Sequence, residues 1–224
     1  LFEVKLTIFH NTMPSLKFQR GKKRSVPTSS PGQNQESRGP NLKDVIRSGY
    51  GDGQAREALA QQGYVYDPLL SSHNNSVYYH PEKKKMIFNV AGTHNFSDVI
   101  TDTAFILGDI RDTRRYHNAV NTFRKAKEKY KPEETTLVGH SLGGGIVSRM
   151  PVDNTTKKIT YNKAAGLDDL FRKADSHEQA YRTTNDPVSL LSALNSNSKT
   201  IGTNSLNPIE AHSTDALIGK NIVV

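Results

Sequence analysis

No cysteine occurs among the 224 residues, which excludes disulfides, thiolate metal sites and a cysteine nucleophile. Long apolar runs are missing too: none approaches the roughly 20 residues that cross a bilayer. Leu1–His10 is apolar in places, but Glu3 and Lys5 interrupt it. It is too short and too charged for a secretory leader, so no signal peptide is expected. Met13 reads as a native start, with the twelve residues before it a processed or in-frame extension. His73, His80, His94, His117 and His140 show neither HxxxH nor HExxH spacing, so no metal site is expected. No GxxxxGK[ST] loop occurs, since the glycine-rich GHSLGGG lacks its lysine, and no cofactor is expected.

Positive charge is present in excess but unevenly. Of the net +8, residues 1–40 hold seven Lys/Arg against two acids. The remainder is close to neutral, which argues against a nucleic-acid-binding body. Residues 20–41 are poor in large apolar side chains and rich in Gly, Pro, Ser, Asn and Gln. Such a composition does not repay the entropy of ordering, and a flexible basic arm over 1–40 is expected ahead of a domain over 41–224. Lys22–Arg24 suits an anionic membrane surface, nucleic acid or a nuclear-import receptor, or else is a solvated tail.

From Asn41 onward strands and helices alternate. Gln54–Gln62 reads as a helix stopped by Gly63, and Ser76–His80 and Met86–Val90 as strands joined by a charged turn. In Tyr116–Tyr130, apolar residues recur at three- and four-residue steps before Pro132, which predicts a helix. Thr135–Val138 reads as a strand, Leu142–Met150 as a small-residue helix, and Lys158–Tyr161 and Ala180–Thr183 as further strands. This alternation predicts a mostly parallel sheet flanked by helices.

Gly139-His140-Ser141-Leu142-Gly143 matches G-x-S-x-G between a predicted strand and a predicted helix, the context of a nucleophile elbow in the α/β-hydrolase fold. The serine there must sit on a turn so sharp that neighbouring side chains collide unless they are glycine. The helix start then supplies N–H groups beside the reacting oxygen. A serine hydroxyl needs a base, and the base an orienting acid, in the chain order Ser, Asp or Glu, His. Downstream of Ser141 lie only His177, in the polar run RKADSHEQ, and His212, in a loop near the end; His212 is the expected base. The acid candidates are Asp168, Asp169, Asp175, Asp186 and Glu210, and Asp186 stands out because it follows a predicted strand. Leu142 N–H is one expected oxyanion donor, and Thr93, after the strand ending in Ala91-Gly92, is the other.

These segments, from Ser76 to His212, resemble the class 3 lipases, a group of fungal triacylglycerol lipases and related phospholipases. SVYYHPEKKKMIFNVAGT resembles the family's strand–turn–strand, FSDVITD its acidic segment with Asp98 and Asp102 in matching places, and TTLVGHSLGGG its elbow. YRTTNDPVSLL resembles the region that carries the acid and again selects Asp186. Ala91, Val99 and Gly145 depart from the family's arginine, tryptophan and alanine. The resemblance implies hydrolysis of a lipid or similar ester by Ser141, His212 and Asp186. The same acyl-enzyme chemistry serves a lipid acyltransferase, and a non-catalytic virion or membrane-associated protein retaining the fold is the alternative from another class. Thr103–Arg115 reads either as a short lid whose Arg111, Arg114 and Arg115 meet anionic head groups or as a core helix.

Overall fold

The computed structural model describes residues 39–94, 109–165, 169, 175–190 and 198–224. The arm before residue 39, the acidic segment with Asp98, Val99 and Asp102, the first part of the expected lid, and Asp168 lie outside them.

Seven strands form one sheet in chain order: β1 Val65–Tyr66, β2 Asn75–His80, β3 Lys85–Val90, β4 Glu134–His140, β5 Thr156–Tyr161, β6 Glu178–Thr183 and β7 Ser198–Ile201. β1–β2 and β2–β3 pair antiparallel, and every later pair is parallel. A tight turn suffices for the first hairpins, whereas each parallel pair needs a crossover. The helices are α1 Leu42–Gly49, α2 Gly53–Ala60, α3 Arg114–Tyr130, α4 Leu142–Arg149 and α5 Pro208–His212, with short 3-10 turns at Ile110–Asp112 and Thr214–Leu217.

Successive side chains on a strand face opposite ways, so a sheet covered on both faces needs apolar residues at consecutive positions. In β3, Met86, Phe88 and Val90 pack with Phe123 of α3 and Ile146 of α4; Ile87, between them, packs with Leu42 and Ile46 of α1. Leu137 and Val138 divide β4 in the same way. Each fully buried side chain of this size contributes about 1.5–3 kcal/mol. Helix starts are set by short polar side chains: Asn41 accepts from Lys43 N, Asp52 from Ala55 N, Thr113 from Tyr116 N and Asn207 from Ile209 N. Such caps are each worth about 1 kcal/mol.

The mostly parallel sheet with helices on both faces is the expected architecture. Every predicted strand is present, and the strands extend one or two residues beyond their predicted ends. Helix α1 and strands β1 and β7 have no counterpart in the sequence reading, nor has α5, where His212 ends a short helix and does not lie on the expected loop. β7 is an edge strand with only its two ends half-buried, so no apolar alternation announces it. In the described part of the lid candidate, Ile110 is buried in the core beside α4. The arginines there divide. Arg111 pairs with Asp109 at 2.6 Å, Arg114 is exposed, and Arg115 turns inward so that Nη2 donates to the Ala91 carbonyl at 2.7 Å. Arg115 is half-buried, with this nitrogen committed to the turn after β3.

Candidate active site

The carboxyl ends of β3, β4, β5 and β6 gather the candidate residues at one edge of the sheet, where open α/β sheets place their ligands. Strand β4 ends at His140, and α4 starts at Leu142, leaving Ser141 alone to reverse the chain. Its backbone has φ 56° and ψ −128°, a left-sided conformation that costs a non-glycine residue about 1–3 kcal/mol. The turn is held from the next strand: Ser141 N donates to Tyr161 O at 3.2 Å, and Ser141 O accepts from Ala164 N at 2.9 Å. The glycines flanking it answer to space. A Cβ on Gly143 would collide with the Val90 and Ala91 carbonyls, so only glycine lets α4 start this close to β3.

Ser141 is buried, and its Oγ has no hydrogen-bond partner among the described residues. His212, at the end of α5, and Asp186, on the loop after β6, are also buried. His212 Nδ1 and Asp186 Oδ1 are 2.8 Å apart. The carboxylate also accepts from Val188 N at 3.0 Å and Ser189 N at 3.1 Å. Burial alone would push the Asp186 carboxyl up. The His212 hydrogen bond and charge, with the Ser189 and Val188 hydrogen bonds, outweigh burial and hold it below the usual carboxylate range. With Asp186 ionised, the proton on the shared bond belongs to His212 Nδ1, leaving Nε2 as the atom able to accept one.

The remaining acid candidates among the described residues are engaged elsewhere. Asp169 pairs with buried Arg149 at 2.8 Å, Asp175 with Lys158 at 2.7 Å, and Glu210 accepts from Ser205 Oγ at 2.6 Å. His177 lies before β6, at the opposite ends of the strands, with its Nδ1 3.3 Å from Thr156 O.

Two residues the sequence reading did not select, His140 and Tyr50, tie the His212 main chain and the Gly92 turn to the elbow. His140 is buried, its ring centroid is 4.8 Å from that of His212, and its Nε2 lies 2.9 Å from His212 O. Its Nδ1 is 2.7 Å from Tyr50 Oη, which also accepts from Gly92 N at 2.8 Å. Burial, then the neighbouring His212, pull the His140 imidazole down to about 3, so the ring stays neutral. Burial pushes the Tyr50 phenol up, against the Gly92 hydrogen bond and the Arg115 charge, so its proton stays on. A signal for His140 existed, since it occupies the first variable position of the elbow motif. Tyr50 follows a helix 91 positions earlier in the chain than Ser141, and nothing local marks it.

Gly92 sits against the elbow: a Cβ there would come within 2.8 Å of Ser141 Cβ and 2.9 Å of His140 O. Thr93 follows and lines a cavity of about 330 Å³ together with Tyr50, His94, His140, Ile209 and His212. No described residue takes the backbone N–H of Thr93 or of Leu142, which is at the first position of α4. Among the described residues no cluster of His, Asp and Glu is arranged to hold a metal ion, and no helix is long and apolar enough to cross a membrane.

Among solved structures the chain is similar to the Lip2 lipase of Yarrowia lipolytica at 16% identity, with 71% of this chain and 76% of that one covered and a TM-score of 0.46. It is similar to MDLA, in a mutant form, from Penicillium cyclopium at 14% identity, with 75% and 78% covered and a TM-score of 0.46. For the propeptide complex of the Rhizomucor miehei lipase the identity is 11% and the TM-score 0.42; 66% of this chain is covered but only 61% of that one. No match was found among curated proteins. The model of a phospholipase-like family, the Tle-like phospholipase domain, matches residues 46–212, well over half of the chain. With its mostly parallel sheet and a strained serine between β4 and α4, the chain belongs to the Tle-like phospholipase domain family.

Proposed function

We propose that the chain is a serine-dependent hydrolase of carboxylic esters in lipids, phospholipids foremost, with Ser141, His212 and Asp186 as its triad. The observation that supports this most is the buried 2.8 Å pair of His212 and Asp186, tied through His140 to the elbow that carries Ser141. Membership of a phospholipase-like family supports the choice of substrate class.

In this reading Ser141 Oγ attacks the ester carbonyl carbon while His212 Nε2 takes its proton, and the Asp186 carboxylate stabilises the imidazolium that results. The carbonyl oxygen becomes an oxyanion held by the N–H groups of Leu142 and Thr93. His212 then returns the proton to the leaving alkoxide, releasing the lyso-lipid or alcohol and leaving Ser141 acylated. Water, deprotonated by His212, attacks the acyl-enzyme and frees the fatty acid and the serine. The hydrogen bond between Ser141 Oγ and His212 Nε2 that this step needs is one that forms when substrate fills the site.

A fluorophosphonate probe and phosphatidylcholine vesicles test the proposal. The wild-type protein is expected to be labelled on Ser141 and to release fatty acid. Folded Ser141→Ala is expected to lose the label and at least about a thousandfold in kcat, the scale on which triad members act. Undiminished turnover by a folded Ser141→Ala protein would overturn it.

A further inference from the structure

Four segments that are far apart in the chain meet beside Ser141 through hydrogen bonds whose directions can be worked out one atom at a time. His140 Nε2 faces the His212 carbonyl oxygen at 2.9 Å, and a carbonyl only accepts, so Nε2 carries the ring proton. The buried ring is neutral, so Nδ1 is a lone pair, and Tyr50 donates its O–H to it over 2.7 Å. The Tyr50 oxygen then accepts the N–H of Gly92 over 2.8 Å. The order is Gly92 N–H to Tyr50, Tyr50 O–H to His140, His140 N–H to the carbonyl of the base. No member can reverse without leaving two donors or two lone pairs face to face.

This arrangement fixes both groups that must converge on Ser141. On one side, the His212 main chain is pinned by His140 and by Asn162 Nδ2, which donates to the same carbonyl at 3.1 Å. On the other side, Tyr50 takes the N–H of Gly92, so that N–H is not available to an oxyanion. Arg115 Nη2 reaches the carbonyls of Ala91 at 2.7 Å and Gly92 at 3.4 Å. In a trans peptide the following N–H points away from the carbonyl, so a Gly92 carbonyl turned toward Arg115 turns the Thr93 N–H the opposite way. Thr93 also lines the cavity beside His212.

We propose that Tyr50 and His140 are positioning residues: they lock the oxyanion turn and the base onto the elbow and leave the Thr93 N–H as that turn's donor. The proposal rests on the hydrolase reading above. It assigns neither residue a proton in the reaction. Misplacement of reacting groups by about 1 Å costs on the order of a hundredfold in rate, so loss of the lock lowers kcat. KM stays within about twofold, as expected when an interaction aids the transition state alone.

The test uses the full chain with p-nitrophenyl butyrate and the fluorophosphonate probe. Tyr50→Phe deletes the hydroxyl with little change of shape, and His140→Asn keeps an acceptor for Tyr50 but drops the bond to His212. Each is expected to lower kcat and the labelling rate of Ser141 together by about ten- to a hundredfold. The double variant is expected to be no worse than the poorer single one, because both break one chain of bonds. Nitrogen-15 spectra of the wild-type protein give a reading that does not depend on any variant folding: His140 is expected neutral, with its proton on Nε2, from pH 5 to 8. A labelled wild type beside a folded Tyr50→Phe of unchanged kcat and labelling rate overturns the proposal alone, as does a His140 proton on Nδ1. An unlabelled wild-type Ser141 overturns the hydrolase reading and the role of Tyr50 and His140 with it.

Discussion

The two ends of the parallel strands use similar polar residues in opposite ways. At the amino ends, Lys84–Glu133 and Lys85–Glu134 form ion pairs of 2.7 and 2.8 Å that are mostly open to water. Exposed pairs of this kind are worth about 0–1 kcal/mol, and either partner is replaceable. At the carboxyl ends, Ser141, His140, Asn162, Thr183, Asp186 and His212 are all buried. Burying an unpaired polar group costs about 1–3 kcal/mol, so such a cluster persists only when its bonds are nearly complete. Thr183 Oγ1 donates to Ala211 O at 2.5 Å, and Asn162 Nδ2 to the same carbonyl at 3.0 Å. The difference teaches where the chain has freedom to vary. The exposed pairs tolerate exchange because water replaces a lost partner; the buried cluster, which holds the proposed base, acid and nucleophile, does not, because water cannot reach it.

The largest effects should separate the two ends outright. His212→Ala and Asp186→Asn are each expected to lower kcat on p-nitrophenyl esters by at least about a thousandfold with little loss of fold. His177→Ala, at the amino end, is expected to leave kcat unchanged. A crippled His177→Ala beside an active His212→Ala would reverse the assignment and break the comparison.

Acid sensitivity is the next largest. Above an ordinary imidazole value of 6.5, His140 is neutral both folded and unfolded; between there and its folded value of about 3, only the unfolded chain takes up the proton. The unfolded state thus binds more protons in that window, and stability falls as pH falls, by about 1.4 kcal/mol per unit. The Asp186 carboxyl, also held low, adds its loss only below its unfolded value of 3.8 and through its folded one. Urea unfolding at pH 6.5 and pH 5 is therefore expected to differ by about 1.6 kcal/mol through His140. His140→Gln, which has no titrating ring, is expected to remove most of that slope. An unchanged slope would mean that other histidines carry it.

Much of this contrast was legible in the sequence, and the part that was not has a physical reason. The elbow is a local event, because strand, serine and helix occupy adjacent residues and the glycines mark the close packing. The meeting of Asp186 and His212 at the carboxyl edge followed from chain order and from the strand before Asp186, since the fold fixes the order in which loops reach that edge. Tyr50 was illegible because its role is set by a contact across 90 residues with His140, and a tyrosine after a helix has no pattern of its own. The contact of Arg115 with the turn after β3 was illegible for the same reason. Three arginines in five residues look like a solvated cluster until the turn after β3 arrives beside one of them.

A smaller expectation concerns ionic contacts at the amino ends that are not exposed. Lys158 is buried in β5, and Asp175, about a quarter exposed, holds its Nζ at 2.7 Å. Asp175→Asn keeps a hydrogen-bond acceptor but loses the charge, and is expected to lower stability by about 1–2 kcal/mol. The kcat of the remaining folded protein is expected to be unchanged, which thermal melts and ester assays on one preparation would show. A fall in kcat without loss of stability would mean that the two ends communicate.

The smallest effect is stored in the backbone. Ser141 at the carboxyl end and Lys131, which caps α3 at φ 44° and ψ 53°, both hold positive φ without being glycine. Their reasons differ. Lys131 occupies the left-handed position at which helices end, where any residue with a Cβ pays about 1 kcal/mol and glycine does not. Ser141 lies farther from any basin open to a side chain, and its strain is about 1–3 kcal/mol. Glycine relieves each strain but loses about 0.5–1 kcal/mol through the freedom it gains in the unfolded chain. Lys131→Gly is therefore expected to be near neutral. Ser141→Gly is expected to be more stable than Ser141→Ala by about 1 kcal/mol, both being inactive. The alanine variant is the proper reference, because it removes the same hydroxyl while keeping the Cβ that the turn resists. Urea melts of the three variants would decide it: a Ser141→Gly protein no more stable than Ser141→Ala would mean that the elbow's hydrogen bonds to Tyr161 and Ala164, and not the shape of the turn, set the energy at this position.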